Sequence, residues 1–579
     1  MFSARHLEHI LVGGKIMSAD EFKKQAAEAT AKHQTLENYL IGARLISEES
    51  LYEAASSYFQ LPYVNLKNQP IRKDLLFLIP EPLAEHYQIV VFDAEGDKVL
   101  RVVTTDPENL QAFEFLKKKT GKQIAVSLTA PSALQELLKQ YHKSLQAEFK
   151  ELTKVETTTE SGGAPTKDLK ELAEDLPVVR IVDTLLEYAI FEGASDIHIE
   201  PEEQDVDVRY RIDGVLRNVM TLPKAVQAGI IARIKVLSNL KLDEHRLPQD
   251  GRFKLHTNEY KIAFRVSIIP TFDGEKAVLR LLNEQVQVRT LEQLGLHPTA
   301  LEIVKKSIAK PHGMILVTGP TGSGKSTTLY TMLSVLNRPE VNISTIEDPI
   351  EYRMPRINQS QVNPKIGYTF ATGLRAFLRQ DPNIIMVGEI RDTETAEIAV
   401  NAAMTGHLLL STLHTNDAVT ALPRLFDMGI PPFLVASTTT MIMAQRLVRK
   451  VCPYCILSFN LDESTLKELG RQFDLKDIMN RLIASGSIAK TTKGFDSLLF
   501  YRGKGCKQCG ESGYRGRQGI YEVLDVTHEI AEAIGRKANR EELLKIARDQ
   551  GMLTIVEDGF LKAKAGVTSI EEVLRVTQE

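Results

Sequence analysis

One short stretch constrains this sequence more than any other. Gly319, Pro320, Thr321, Gly322, Ser323, Gly324, Lys325, Ser326 and Thr327 follow directly on the apolar run Met314 to Thr318 and precede a helix-compatible run, Thr327 to Leu336. Strand, glycine-rich turn and helix in that order make the phosphate-cradling loop of G-x-x-x-x-G-K-[ST] spacing. Its glycines let the backbone curl so that N–H groups converge on phosphate oxygens at a helix N-terminus, where the helix dipole also favours negative charge. Lys325 would reach the β and γ phosphates of a nucleotide, and Ser326 would ligate Mg2+, a hard cation that takes oxygen ligands. The bland alternative is a chance glycine-rich turn, and the agreement of all three elements weighs against it.

A phosphate loop binds a nucleotide; splitting one also needs an acidic group at the end of a neighbouring buried strand. The run Ile384 to Val387, followed by Gly388 and Glu389, supplies it, with Arg391 and Asp392 just behind. A carboxylate there can polarise the attacking water or hold the metal's water shell. The competing reading is a buried strand capped by a solvated turn. A second acidic cluster, Glu347, Asp348 and Glu351, follows another short apolar strand and brings further carboxylates to the same end of a parallel sheet, where ligands sit. His407 and His414 flank the strand-like run Leu408 to Leu413. Their spacing puts them on opposite strand faces, against a shared metal, and each reads first as a structural or hydrogen-bonding histidine.

With 579 residues, the chain is long enough for about three or four domains. Lys plus Arg number 71 against 75 Asp plus Glu, a net charge of −4, so there is no global attraction to nucleic acid or anionic lipid. Met1 to Gly14 lacks a signal-peptide core and no uncharged apolar run reaches membrane-spanning length, so a soluble, cytosolic protein is expected. Residues 1–145 mix helical patterns with short strands, such as Gln88 to Phe92 and Lys98 to Val103, and read as an α/β module. Residues 146–176 contain Thr157 to Pro165, a stretch with little to bury, and read as a flexible linker. Residues 177–289 begin with a helical face, Val178 to Phe191, and continue with the alternating strands Asp196 to Glu200 and Val206 to Ile212, an α+β domain. Residues 290–579 alternate strands and helices, the rhythm of a mostly parallel sheet, and end in a cysteine-bearing insert (447–519) and a helical tail (520–579).

The chain's 4 cysteines are Cys452, Cys455, Cys506 and Cys509, two C-x-x-C pairs. Each pair can supply two corners of a tetrahedral, closed, structural Zn2+ site. A redox pair is the alternative, but no thioredoxin-like context surrounds either motif. The long insert between them exceeds what a short zinc ribbon needs.

Together, Gly319 to Thr327, Thr345 to Glu351, Gly388 to Asp392, and Thr405 to His407 through Thr412 to Thr415 resemble the four ordered boxes of the secretion ATPases. The likeness is strongest to the type II secretion and type IV pilus assembly ATPases, the GspE/PilB family, and covers nearly everything from about Pro177 to Glu579. It implies a RecA-like ATPase domain, preceded by a PAS-like domain and an N-terminal type II secretion ATPase module, with a tetracysteine zinc insert. Carried over, Lys325 and Ser326 bind the phosphates and Mg2+ of ATP. Glu389 and Glu351 are then the acidic residues for hydrolysis, Glu347 is a further candidate, and His414 senses the γ-phosphate with His407 beside it. Arg265 within Phe264 to Val266, and Arg280 within Val278 to Leu281, resemble arginines that close over the terminal phosphates, although an Arg alternating with apolar residues on a strand is ordinarily a solvated face. Arg209 and Arg211 resemble subunit-interface residues.

The resemblance implies a cytoplasmic homohexameric motor, peripheral to the inner face of the cytoplasmic membrane. Its partners would be an inner-membrane platform protein and associated cytoplasmic assembly proteins, and ATP hydrolysis would power pilin polymerisation or type II secretion. Leu7 to Gly14 and Leu36 to Leu45 echo a repeated helical element that binds cyclic di-GMP in some relatives. His6 and Glu37 stand where an Arg-Leu-Gly pattern is expected, so docking to a membrane partner is the plainer expectation. Other classes remain open: a nucleotide-regulated scaffold with little turnover, or a DNA-uptake or conjugation translocase, against which the acidic balance weighs.

Overall fold

Helices and strands are divided between two separately packed units, Met1–Leu281 and Leu282–Glu579. The computed structural model describes residues 2, 4–31, 35–67, 69–76, 78–79, 84, 87–96, 98–141, 173, 176–256, 261–283, 289–484, 486–492 and 494–578. The linker expected over 146–176 lies, apart from Ala173 and Leu176, outside the described residues.

In the first unit, the helices Leu36–Gly42 and Glu48–Phe59 start at Thr35 and Ser47, whose side chains accept from the Asn38 and Ser50 amides, satisfying donors that a helix start leaves open. Leu7, Leu11, Leu40 and Leu51 are buried between these helices and their neighbours. Glu37 is buried as well: its carboxylate accepts from the Phe2 amide and the Tyr52 hydroxyl, each at 2.9 Å. A small sheet follows, in which β1 (Ile89–Glu95) runs antiparallel to β2 (Val99–Thr104) and β2 parallel to β3 (Gln123–Leu128).

The helix Leu176–Phe191 leads into a six-stranded sheet of β4 (Asp196–Pro201), β5 (Asp205–Ile212), β6 (Val215–Pro223), β7 (Gln249–His256), β8 (Lys261–Thr271) and β9 (Gly274–Asn283), ordered β6-β5-β4-β9-β8-β7. Alternation decides its two faces. Ile197, Ile199, Val208, Tyr210, Phe264, Val266, Ala277 and Leu279 point into one core. The intervening positions carry charge: Asp196 lies in register with both Arg211 and Arg280.

The second unit is built on a seven-stranded sheet ordered β12-β11-β13-β14-β10-β15-β18. Its members are β10 (Gly313–Thr318), β11 (Ile343–Glu347), β12 (Asn358–Gln361), β13 (Ile384–Val387), β14 (Leu408–Leu413), β15 (Thr439–Val451) and β18 (Tyr514–Asp525), while β16 (Ile456–Asn460) and β17 (Leu499–Gly503) form a separate pair. Neighbours from β12 through β15 are parallel and only β18 runs antiparallel, against β15. The central strands are covered on both faces, which is why they read as continuous apolar runs. Met314 and Leu316 of β10 face one helical layer, packing with Ile385, Val387, Leu409 and Ile442. Ile315 and Val317 face the other, with Met386, Leu410, Met441 and Met443.

The cysteine insert is more than a ribbon. Helices Glu463–Gln472 and Leu475–Ala484 bury Leu469, Ile478, Met479 and Leu482 in the core that also holds Phe560 of the tail. The helical tail begins at His528, because β18 continues to Asp525.

Candidate active site

The sheet's parallel order puts the ends of β10, β11, β13 and β14 side by side, and the candidate residues lie where those ends meet. Past Thr318 the chain turns through Gly319, Gly322 and Gly324 at φ of 145°, 80° and 90°, a region that favours glycine. The helix Lys325–Leu336 starts immediately after. A Cβ on Gly319 would come within 2.5 Å of the Gln445 carbonyl oxygen, so the turn also needs glycine for space. Lys325 folds back over the turn, its Nζ donating to the Gly319 and Pro320 carbonyls at 2.8 and 3.0 Å. Burial lowers its pKa to about 8, with Arg446 pushing the same way and Glu389 opposing. Thr318 locks the end of β10 to the segment after β14: its hydroxyl donates to the Leu413 carbonyl at 3.1 Å and accepts from the Thr415 amide at 2.8 Å.

Glu389 lies two residues past β13 and is nearly enclosed. Its carboxylate meets Arg391 at 2.6 Å and His414 Nε2 at 3.3 Å. The backbone that carries it is fixed by β14, whose Ser411 and Thr412 hydroxyls donate to the Val387 and Gly388 carbonyls at 2.8 and 2.7 Å. Asp392 is a helix cap, accepting from the Thr395 amide at 2.8 Å. One cleft is lined by Lys325, Ser326, Glu347, Glu351, Glu389 and His414. With Asp348 also in its lining, the cleft brings a lysine, a hydroxyl and four carboxylates together, which suits a polyphosphate with a hard cation, so the donor set fits Mg2+ held through Ser326.

Not every candidate reaches the cleft on the same terms. Glu347 is buried and already bound, its oxygens accepting from the Tyr330 hydroxyl, from Thr345 Oγ1 at 2.5 Å and from Gln359 Nε2 at 3.2 Å. Burial raises its pKa above the usual carboxylate range despite those donors. Tyr330 also accepts from the Glu351 amide at 3.3 Å, so this tyrosine of the phosphate-loop helix, which sequence reasoning missed, braces both glutamates. His407, expected beside His414, is not brought to the cleft. It precedes β14, about 23 Å from His414 at a strand rise of ~3.3 Å per residue, and its Nδ1 lies 3.0 Å from the Ala402 carbonyl. In the first unit, Arg265 is exposed on β8. Arg280 donates from Nε to Asp196 Oδ1 at 2.9 Å. Burial pushes the Asp196 pKa up, but Arg280, Ser195 and Arg211 outweigh it and hold it below the usual value.

The four cysteines converge. Their Sγ atoms all lie within 4.8 Å of one another, with Cys452 to Cys506 and Cys455 to Cys509 at 3.9 Å and Cys506 to Cys509 at 3.7 Å. A tetrahedron with ~2.3 Å from metal to sulfur has edges of about 3.8 Å, so the cluster fits Zn2+. A disulfide needs about 2.05 Å between sulfurs. The Cys506 and Gly513 amides also point at Cys509 Sγ, at 3.3 and 3.2 Å, support of the kind that thiolate ligands receive from a second shell.

A doubly covered parallel sheet, a lysine-bearing glycine loop and an enclosed glutamate at the same sheet edge define a phosphate-loop nucleotide hydrolase. The Type II/IV secretion system protein family matches residues 171–575, and the MshEN domain family matches residues 59–148. Among similar proteins, the type IV pilus assembly ATPase PilB of Myxococcus xanthus is 39% identical over 578 residues, 98% of each chain. The PilB of Thermus thermophilus is 40% identical over 549 residues, 94% of this chain, which spans 59% of that longer relative. The type II secretion system protein E of Pseudomonas aeruginosa is 46% identical over 414 residues, 72% of this chain and 78% of that one. Among solved structures, the ATPase DotB of Legionella pneumophila has a TM-score of 0.50 at 21% identity, covering 69% of this chain and 95% of that one, a likeness of fold. The chain belongs to the type II/IV secretion ATPase family, the ATPases of type IV pilus assembly and type II secretion.

Proposed function

We propose that this protein is a cytoplasmic homohexameric motor that hydrolyses ATP to drive pilin polymerisation in type IV pilus assembly. The observation that carries the proposal is Glu389, held between Arg391 and His414 in the cleft that Lys325 and Ser326 also line. Glu389 orients and polarises the attacking water, His414 positions that carboxylate and reads the γ-phosphate, and Glu351 supplies a further acidic oxygen. Glu347 acts by fixing the turn that bears Glu351. Bound Mg2+ supplies charge neutralisation at the phosphates. No membrane-crossing helix occurs among the described residues, which is in keeping with recruitment by an inner-membrane platform protein and cytoplasmic assembly partners. PilB relatives align over 94–99% of this chain and type II secretion relatives over 71–89%, a margin that favours pilus assembly.

The six-stranded sheet belongs to a PAS-like domain, from which Arg265 and Arg280 close over the terminal phosphates. A planar guanidinium suits charge spread over phosphoryl oxygens, and nucleotide-dependent closure and opening of that domain is the power stroke. Residues Cys452, Cys455, Cys506 and Cys509 hold a structural Zn2+. In the N-terminal module, the Glu37 carboxylate is buried and internally bonded, which disfavours an anionic ligand such as cyclic di-GMP there; docking to a membrane partner is the plainer role.

The test is ATP turnover per subunit across a range of protein concentrations, with Glu389→Gln as the blank. Specific activity rising with concentration and absent in the variant supports a site completed by assembly. Turnover equal to the blank's with the platform protein added refutes the motor.

A further inference from the structure

The phosphate loop rests on a side chain from a strand far away in sequence. In the parallel pairing of β10 with β15, Thr318 lies opposite Ala444, so Gln445 is the first residue of β15 beyond the point where β10 gives way to the loop. Its side chain is 1% exposed and both ends of the carboxamide are used. Nε2 donates to the Ser323 carbonyl at 2.6 Å, and Oε1 accepts from the Thr328 hydroxyl at 2.7 Å. One bond therefore holds the loop and the other holds the first turn of the helix that begins at Lys325, with Lys325 and Ser326 between the two anchors. The loop is wrapped closely on this residue: a Cβ on Gly324 would lie 3.1 Å from Gln445 Nε2, and one on Gly319 would lie 2.5 Å from the Gln445 carbonyl oxygen.

We propose that Gln445 is the positioning residue of the phosphate loop, setting the direction of its amides and the reach of Lys325. In a planar trans peptide the carbonyl and the following N–H point in opposite directions. Tying the Ser323 carbonyl to Gln445 thus turns the Gly324 N–H away from β15, to the side on which a phosphate must lie to meet a helix N-terminus. Thr328 fixes the helix axis, so the amides of Gly324, Lys325 and Ser326 converge before a nucleotide arrives. An amide is the side chain that can do this: a carboxylate cannot donate to Ser323, and an apolar isostere leaves a buried carbonyl and a buried hydroxyl unpaired.

This inference deepens the ATPase reading and rests on it. The experiment compares Gln445→Leu, Gln445→Glu, Thr328→Val and Lys325→Ala in the full-length protein. It measures MgADP and MgATP binding with fluorescent analogues, ATP turnover, thermal unfolding without nucleotide, and hydrogen exchange of the loop peptide spanning 319–327. Both Gln445 variants are expected to weaken MgADP and MgATP binding about tenfold or more, to speed exchange in the loop more than elsewhere, and to melt a few degrees below the parent, since each leaves buried polar groups unpaired. Thr328→Val, which removes one anchor, is expected to weaken binding less. Parent-like nucleotide affinity in Gln445→Leu overturns the positioning role, as does a fall in melting temperature with no selective loosening of the loop. Should a Gln445 variant fail to fold, loop exchange in Thr328→Val indistinguishable from the parent overturns it as well. Unchanged nucleotide binding in Lys325→Ala would instead overturn the assignment of the loop itself, so the two failures are told apart.

Discussion

His414 Nε2 lies 3.3 Å from a Glu389 carboxylate oxygen whose partner oxygen meets Arg391. The two residues leave adjacent strands, β13 and β14, whose register pairs Val387 with Ser411, so their meeting follows from the sheet. Glu389→Gln keeps the shape and removes the charge. Turnover is expected to fall about a hundredfold or more, with MgATP affinity held within about threefold. His414→Ala should lower turnover about tenfold with binding equally spared; a variant that loses binding and keeps turnover would remove His414 from the chemical step.

The depressed pKa of Lys325, about 8, gives nucleotide binding a pH dependence of definite sign. The free protein loses the ammonium charge as pH rises through about 8, whereas a bound polyphosphate favours the charged form. Affinity for MgADP should be flat below pH 8 and weaken above it, by at most about tenfold per pH unit. Glu389→Gln removes the carboxylate that favours the charge and should move the onset to lower pH. Equilibrium binding from pH 7 to 9.5 reads both, and a flat profile would mean that the loop lysine keeps its charge throughout.

Local spacing made part of this site legible in the sequence. A glycine-rich loop between a strand and a helix states its own geometry, and Glu389 follows a short apolar run of the kind a doubly covered strand shows. The C-x-x-C pairs likewise announced themselves, because two corners of a tetrahedron lie within four residues. What escaped depends on long-range register. His407 and His414 look equivalent as flanks of one strand, yet a parallel sheet gathers its ligands at one end only, and His407 stands at the other. Gln445 sits in an unremarkable apolar run, and its place under the loop exists only because β15 pairs with β10. The antiparallel β18 was hidden for the same reason, and the insert helices were hidden because their apolar faces pack on tail helices about eighty residues further on.

Asp196 lies in register with both Arg280 and Arg211 and is almost fully buried. Arg280 meets Asp196 through Nε, which leaves its Nη groups for a phosphate, so Asp196 orients the guanidinium. Arg280→Ala and Arg265→Ala are expected to cut turnover about a hundredfold while nucleotide affinity changes less than about fivefold. Asp196→Asn should destabilise the protein by about 1–2 kcal/mol, since it removes the buried charge and turns one of the two acceptor oxygens that face the guanidinium groups into a donor. Steady-state kinetics beside thermal unfolding separates the roles: turnover loss in the arginine variants without a matching loss of stability supports closure, and affinity loss that exceeds turnover loss assigns them to ground-state binding.

The tetracysteine cluster begins at Cys452, the residue after β15 ends, so one strand joins the candidate metal site to the phosphate loop. Metal analysis should return close to one zinc per chain, and a stable metal-free preparation would remove the site. Chelation, or loss of two ligands in Cys452→Ser with Cys506→Ser, unties the four sulfurs whose neighbours now sit 3.7 to 3.9 Å apart and should lower the melting temperature by several degrees, because a closed zinc site contributes folding energy directly. The damage should stop short of the nucleotide. From Met441 to Arg449, β15 is paired residue by residue with β18, Asp525 to Arg517, and Gln445 lies in the middle of that span. MgADP affinity is therefore expected to remain within about threefold of the parent after metal removal at a temperature where the protein stays folded. A larger loss would mean that the strand passes the disturbance along its length, and that the metal tunes the loop as well as holding the insert.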